Sequence, residues 1–376
     1  MKIIKENSPH LRSKATVSRM MGDVLIALAP TLIFAIVVYP LKTIIFLLIS
    51  LSIMIGSEFV YVGLRNMQPK DGLKHSFKER FIYAYKDKYT KNNVLTAAIS
   101  ATIFTLIMPA GAPLYAVIVG AFVGIVIGKL VFGGTGSNIF NPAVVGMLFA
   151  KLCFGSQYVM YVDTWFYQLP EIDDVIISAT PLGLTNGGML SNVSQYSLVD
   201  MLIGRIPGTL GEVYKITILI GLAYLLIRRS ADYRIVVSYL GTFTLLILIA
   251  GLSVFALDNT VNPLLFTAYN LLSGGVIFGA VFMLTDPVTS PINPPSRYLY
   301  GMIAAVVTVF IRLFAALPEG VGFSILIANM LAVVLDHFEW SSSRYTWKKL
   351  LAMGLIVLIS GLTVFLLLRF GGYSHV

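Results

Sequence analysis

Long apolar runs, broken by short polar stretches, organise this chain from residue 22 onward. Runs at 22–39 and 43–61 are long enough to cross a bilayer, which takes roughly 20 residues of helix. A polar loop, 62–92, is followed by runs at 93–109 and 113–132. Next come a glycine-rich turn, Gly133-Gly134-Thr135-Gly136-Ser137-Asn138, and a shorter run at 139–155. A long polar interruption, 156–213, separates this block from a second one with runs at 214–227, 235–254, 264–285, 298–316, 320–336 and 349–368. The pattern predicts an all-α polytopic membrane protein with about ten to eleven transmembrane segments, some short enough to be half-helices. It divides into a cytoplasmic basic tail (1–21), a first membrane repeat (22–155), an extracytoplasmic loop (156–213), a second membrane repeat (214–336), and a cytoplasmic loop with a last helix (337–376).

Composition agrees. The 376 residues are 57% hydrophobic and 12% charged, with a mean hydropathy of +0.83, against roughly a quarter charged in soluble domains. In a soluble protein the net charge of +9 would suggest a nucleic-acid partner. Here the bases gather in short loops between apolar runs, so the expected contact is membrane lipid and not nucleic acid. Lys2, Lys5, Arg12, Lys14 and Arg19 mark the tail; Arg65, Lys70, Lys74, Lys78, Arg80, Lys86, Lys88 and Lys91 mark the loop 62–92; Arg228, Arg229 and Arg234 mark the turn after 227. By the positive-inside rule these ends lie in the cytoplasm. The connections at 286–297 and 337–348 then fall on the same side, the second supported by Arg344, Lys348 and Lys349. Asp163, Glu171, Asp173, Asp174, Asp200 and Glu212 outnumber the bases of 156–213, which places that loop outside. The first apolar run is long and lacks a small-residue cleavage site near its end, so no cleavable signal is expected.

A weak internal repeat refines the architecture. Asn93-Val-Leu-Thr-Ala-Ala…Phe104-Thr-Leu-Ile-Met-Pro109 resembles Asn270-Leu-Leu-Ser-Gly-Gly…Phe282-Met-Leu-Thr-Asp-Pro287, Leu114-Tyr115 matches Leu299-Tyr300, and Lys129-Leu130 matches Arg312-Leu313. The paired segments fall on opposite membrane faces, which predicts two inverted repeats with broken helices meeting near the midplane. Irregular backbone at that depth must be buried in protein or line a cavity. The candidates are Gly133–Asn141, Ser273-Gly274-Gly275 and Thr285-Asp286-Pro287…Asn293-Pro294-Pro295. Two readings stand for these clusters: close packing and helix termination, or the lining of a cofactor or ion site. Lys129 and Arg312 read as snorkelling cations near the interfaces, with a flavin phosphate or quinone-like oxygen as the other reading.

Soluble-enzyme chemistry is not visible. His10, His75, His337 and His375 are scattered without metal-ligand spacing. The glycine-rich turn has neither the GxxxxGK[ST] pattern nor the strand before it that a dinucleotide fingerprint needs. Cys153 is the one cysteine, which excludes an internal disulfide or a cluster built by this chain alone. It reads as a small packing residue, or as one ligand shared with a partner.

Four blocks carry a resemblance: GGTGSNIFNPAVVG (133–146), SATPL (178–182), GRIPGTLGE (204–212) and SGGVIFGAVFMLTDPVTSP (273–291). From Ser8-Pro9-His10 to about residue 350 the chain resembles the family that holds the D subunit (RnfD) of Rnf-type ferredoxin:NAD oxidoreductases and the B subunit of sodium-pumping NADH:quinone oxidoreductases. In that family a threonine ending an Asp-x-x-Ser-Gly-Ala-Thr-like motif is esterified to the phosphate of FMN by a dedicated flavin transferase, outside the membrane. The matching acceptor is Thr180, with Asp174 leading the motif and Ser178 and Ala179 before the acceptor. Ile177 and Ser178 depart from the residues common at their positions.

The resemblance implies an electron-relay subunit that passes electrons between partner redox centres while the complex moves Na⁺ or H⁺. Its partners would be subunits of the Rnf A, B, C, E and G type. The short tail points to the Rnf relative rather than the quinone reductase. Gly204, Pro207, Gly208 and Gly211 are expected to let backbone approach the flavin ring or turn tightly beneath it; Glu212 reads as a polar contact there or as an acid at a helix N-terminus. A second, non-covalent flavin (riboflavin) is implied inside the bundle. Its candidate lining is Asn138, Asn141, Ser273, Gly274, Thr285 and Asp286. An acid at membrane depth is a functional candidate, although Asp286 before Pro287 also reads as an interfacial turn. A solute channel or transporter is the alternative class, since inverted repeats with broken helices serve that purpose too.

Overall fold

The computed structural model describes residues 16–67, 76–86, 88–158, 197–256, 262–315, 319–337, 340 and 342–370. Among these the chain is helical, without strands. Helix α1 (Val17–Val38) starts at Thr16, whose hydroxyl accepts from the Arg19 amide. Proline at the first helical position opens α2 (Pro40–Asn66), where its missing N–H costs nothing. Capping boxes open α3 (Phe77–Tyr85) from Ser76 and Glu79 and α4 (Lys91–Leu106) from Thr90 and Asn93. Next come α5 (Leu114–Ile125), which widens into a π-helical turn at Val126–Leu130, and α6 (Pro142–Tyr158), kinked at Gly155.

Beyond the long loop lie α7 (Leu198–Ile203), α8 (Lys215–Arg228) and α9 (Tyr233–Phe255). Then come α10 (Pro263–Leu272), α11 (Val276–Phe278) with a second π-helical turn at Gly279–Met283, α12 (Pro294–Phe314), α13 (Val321–Leu335) and α14 (Trp347–Phe370).

Helices stand at all eleven predicted apolar runs, but five are long and apolar enough to cross a membrane: α1, α2, α9, α12 and α14. The bent pair formed by α10 and the 276–283 segment, broken by 62° at Ser273–Gly275, makes a sixth. The other helices at those runs are shorter, 17 residues at most. By length and composition the described helices thus support five or six spans of the ten to eleven segments expected, some of which were expected to be half-helices.

The packing order recurs in the two halves. Helix α2 packs against α4 and α5, and α5 against α6; likewise α9 packs against α10 and α12, and α12 against α13. Helix α1 joins α8 and α6 meets α13, tying the halves together. At the α5–α6 crossing the backbones nearly touch: a Cβ on Gly146 would lie 2.4 Å from the Gly120 carbonyl, and one on Gly124 2.6 Å from that of Pro142. Small residues allow such approach where apolar tails surround the bundle.

Buried irregular backbone at the end of the loop 156–213 is satisfied by the first half. The Leu210 amide donates to the Met108 carbonyl at 3.0 Å and the Gly211 amide to that of Leu106 at 2.7 Å. The stretch 209–211 thus lies against the end of α4 as a short β-like rung, so those two amides are paired with protein where water is scarce.

Candidate functional site

The first site is a central cleft between α1, α4, the turn after α5, the start of α6 and the segment 281–288. It is a narrow slot of about 670 Å³ out to its open mouth, with only about 50 Å³ roomy enough for water. Asn138, Asn141, Thr285 and Asp286 line it, joined by Thr96, Ser100, Lys129, Thr135 and Ser230. Its apolar walls include Ile103 and Phe282.

Each predicted polar residue there is held by local chemistry. The Asn138 side-chain amide donates to the Phe140 carbonyl at 3.2 Å. Asn141 Oδ1 accepts from the Ala143 amide, capping α6, while its own backbone N–H donates to Asn329 Oδ1 at 3.2 Å. Thr285 donates back to the Val281 carbonyl. Asp286 accepts from the Val288 amide and the Thr289 hydroxyl, closing the turn before Pro291. Both readings of Asp286 meet here, since the carboxylate closes a turn and lines the slot.

Asn329 was not a sequence candidate. Fully buried in α13, it donates to Tyr300 Oη at 2.8 Å and to the Thr289 carbonyl at 3.4 Å. One amide thereby bridges the two irregular segments that form the cleft walls.

Lys129 does not snorkel. It is 2% exposed and its Nζ lies 2.7 Å from Glu58 Oε2 and 2.8 Å from Thr96 Oγ1. Glu58, 1% exposed, also accepts from Thr135 Oγ1 at 2.7 Å and Asn93 Nδ2 at 3.1 Å. A buried ion pair depends on further partners for its remaining lone pairs and protons, and this network gives Glu58 three donors and Lys129 two acceptors. Glu58 was not a sequence candidate, although an acid inside an apolar run marks a functional or paired position.

A second cluster gathers around the break between α10 and α11. Arg312 is likewise not a snorkelling cation: it is buried, its NH1 donating to the Asn270 carbonyl at 2.6 Å and its NH2 to that of Ser273 at 3.5 Å. Lys215 Nζ donates to the carbonyls of Gly274 and Glu212. Two cations thus cover the exposed carbonyl end of a broken helix, where its dipole is negative. Glu212 packs on Gly275, where a Cβ would meet its Oε1, and does not cap α8. Ser273 donates to the Tyr269 carbonyl. Ser273 and Gly274 therefore sit in this cluster and do not line the central cleft, contrary to the grouping expected from sequence.

Gly204 ends α7 with φ 94°, and a Cβ there would lie 2.6 Å from the Tyr214 ring. Gly208 is pressed on Val213 in the same way. These two glycines are fixed by packing of the loop on itself. Cys153 is exposed on α6, not packed. Thr180, Asp174, Ser178 and Ala179 lie outside the described residues. No group of three or more His, Cys, Asp or Glu side chains that could hold a metal occurs among the described residues.

A family model described as the NQR2, RnfD, RnfE family matches residues 4–343. Among curated proteins, the chain is 39% identical over 244 residues to the B subunit of the Na⁺-translocating NADH-quinone reductase of Chromohalobacter salexigens, covering 64% of this chain and 57% of that one. Proteins of the same name from Pseudomonas paraeruginosa and Ectopseudomonas mendocina are 35% and 36% identical over 246 and 245 residues, each covering 64% of this chain and 58% of theirs. The chain thus spans less than two thirds of the length of these relatives.

Proposed function

This chain belongs to the NQR2, RnfD, RnfE family, and on that premise we propose that it is a membrane electron-transfer subunit of a Na⁺-translocating oxidoreductase complex. The observation that carries the reading is the family match over most of the chain, together with relatives named as the B subunit of a Na⁺-translocating NADH-quinone reductase. Those relatives favour the quinone-reductase reading over the Rnf reading. A solute channel has no comparable support.

In this proposal FMN is esterified to Thr180 in the loop 156–213, outside the membrane. A flavin accepts two electrons and releases them singly, and the protein supplies position and electrostatics. The ester holds the carrier in place, so affinity does not limit its occupancy. The central cleft is the proposed seat of a second, non-covalent flavin. Its lining suits the group in kind, with Ile103 and Phe282 as apolar contacts and the side chains of Asn138, Asn141 and Thr285 as polar ones, while its room of about 50 Å³ is smaller than a flavin ring, so the walls must part on binding. The inverted relation of the two halves is proposed on the recurring packing order. It is further supported by contacts at matched positions, Lys129 Nζ donating to the Thr96 hydroxyl and Arg312 NH2 to the Ser273 carbonyl. Thr96 and Ser273 each lie three residues beyond the matched Asn93 and Asn270.

The test is direct. The chain co-expressed with a flavin transferase is expected to fluoresce on a denaturing gel, and Thr180→Ala is expected to abolish that band. A chain that acquires no covalent flavin under those conditions defeats the proposal.

A further inference from the structure

Apart from the cleft and the cluster at the helix break, a third concavity of about 890 Å³ out to its open mouth lies at the C-terminal end of α2. Arg65, Asn66, Lys88, Thr90 and Asn92 line it beside the turn Gly133–Thr135. Glu58 forms part of its floor, but that carboxylate already receives Lys129, Thr135 and Asn93. No uncompensated negative charge therefore faces the pocket from below. The walls carry two cations held in place. Arg65 NH1 donates to the Gly133 carbonyl at 2.7 Å and to Tyr61 Oη at 3.2 Å, and Lys88 Nζ lies 3.9 Å from the centre of the Tyr83 ring. Two fixed cations among amides and hydroxyls complement an anion of phosphate size.

The surroundings say which phosphate. On the same stretch of α2, Phe59, Val60 and Leu64 point away from the bundle, Leu64 being 72% exposed. Helix α2 is one of the membrane-crossing helices, so this face meets acyl chains. Helix α3 is fastened to α2 by stacking of Tyr85 on Phe59 at 4.3 Å and by donation from Tyr85 Oη to the Phe59 carbonyl. It leaves Phe81 and Ile82 exposed beside Lys78 and Arg80, the composition of a helix lying in a bilayer interface. The pocket thus lies at the end of a membrane-crossing helix and beside an interfacial one, the depth at which lipid phosphates lie.

We propose that this pocket binds the phosphate of an anionic phospholipid through Arg65 and Lys88. The site is independent of the redox reading, because neither Arg65 nor Lys88 lines the central cleft.

Native mass spectrometry of the full chain in detergent tests it, with dioctanoyl-phosphatidylglycerol, dioctanoyl-phosphatidylcholine and inorganic phosphate as probes. One saturable phosphatidylglycerol is expected, bound more tightly than phosphatidylcholine. Lys88→Ala is expected to weaken it roughly tenfold, the effect of one charge-assisted hydrogen bond; Lys88→Arg keeps it, and Lys348→Ala, remote on α14, leaves it unchanged. Because Arg65 also steadies the glycine turn, Lys88 and not Arg65 carries the test. Unchanged phosphatidylglycerol affinity in Lys88→Ala, or equal affinity for phosphatidylcholine, overturns the site. Inorganic phosphate competing at the same concentration as phosphatidylglycerol overturns the lipid as its source.

Discussion

Replacing Glu58 by glutamine removes the carboxylate that meets the Lys129 ammonium at 2.7 Å, with both side chains almost fully buried. The variant keeps the shape and the Oε1 acceptor for Asn93 and Thr135, but its amide NH2 replaces the Oε2 acceptor and leaves a buried cation with Thr96 as its remaining acceptor. Breaking a buried pair in this way costs about 3–5 kcal/mol, because the partner's desolvation is no longer offset. Since Lys129 keeps one hydroxyl acceptor, the lower end applies, about 3 kcal/mol, or a roughly hundredfold shift in the unfolding equilibrium. Lys129→Met alone leaves the carboxylate buried with two donors and costs about the same. Glu58→Gln/Lys129→Met removes both charges and is expected to be more stable than the sum of the single losses by about 2 kcal/mol. Reversible unfolding in mixed micelles of dodecyl maltoside and dodecyl sulfate measures all four proteins. Additive losses, with a coupling under about 0.5 kcal/mol, would refute the pairing and with it the closed polar network between α2, α4 and the glycine turn.

Three further outcomes follow from packing and exposure. Gly146→Ala is expected to destabilise by about 1–3 kcal/mol through overpacking against Gly120, whereas Gly354→Ala, which meets nothing within 4 Å, should be neutral or stabilising by up to about 1 kcal/mol in the same unfolding assay. Asn329→Leu orphans the Asn141 amide and is expected to cost about 1–3 kcal/mol. If the cleft seats a flavin, it also lowers non-covalent flavin content, read by absorbance after denaturing extraction, with covalent fluorescence unchanged. Cys153 should react with maleimide in the folded protein, and Cys153→Ser should leave thermal stability unchanged; resistance to labelling would contradict its exposure.

The helices were legible because apolar runs and their breakers are local signals. Pro40, Pro142, Pro263 and Pro294 each open a helix where the polar pattern breaks. What each buried charge does was not legible, because it depends on a partner far along the chain. Lys129 reads as a snorkelling cation until Glu58, 71 residues earlier, is placed beside it. Arg312 reads likewise until the carbonyl end of α10 is seen to face it. The grouping of site residues failed for the same reason. Ser273-Gly274 and Thr285-Asp286 are near in sequence, but the π-helical turn and the 62° bend send them to different sites. Asn329 carried no local mark at all, being a single amide inside an apolar run.

The proposed flavin ester on Thr180 is read by peptide mass spectrometry of protein co-expressed with a flavin transferase. The peptide containing Thr180 is expected to gain the mass of FMN less one water, with fragmentation placing the gain on that residue and its loss in Thr180→Ala. An unmodified Thr180 peptide as the sole species, or FMN carried on a different residue, would contradict it.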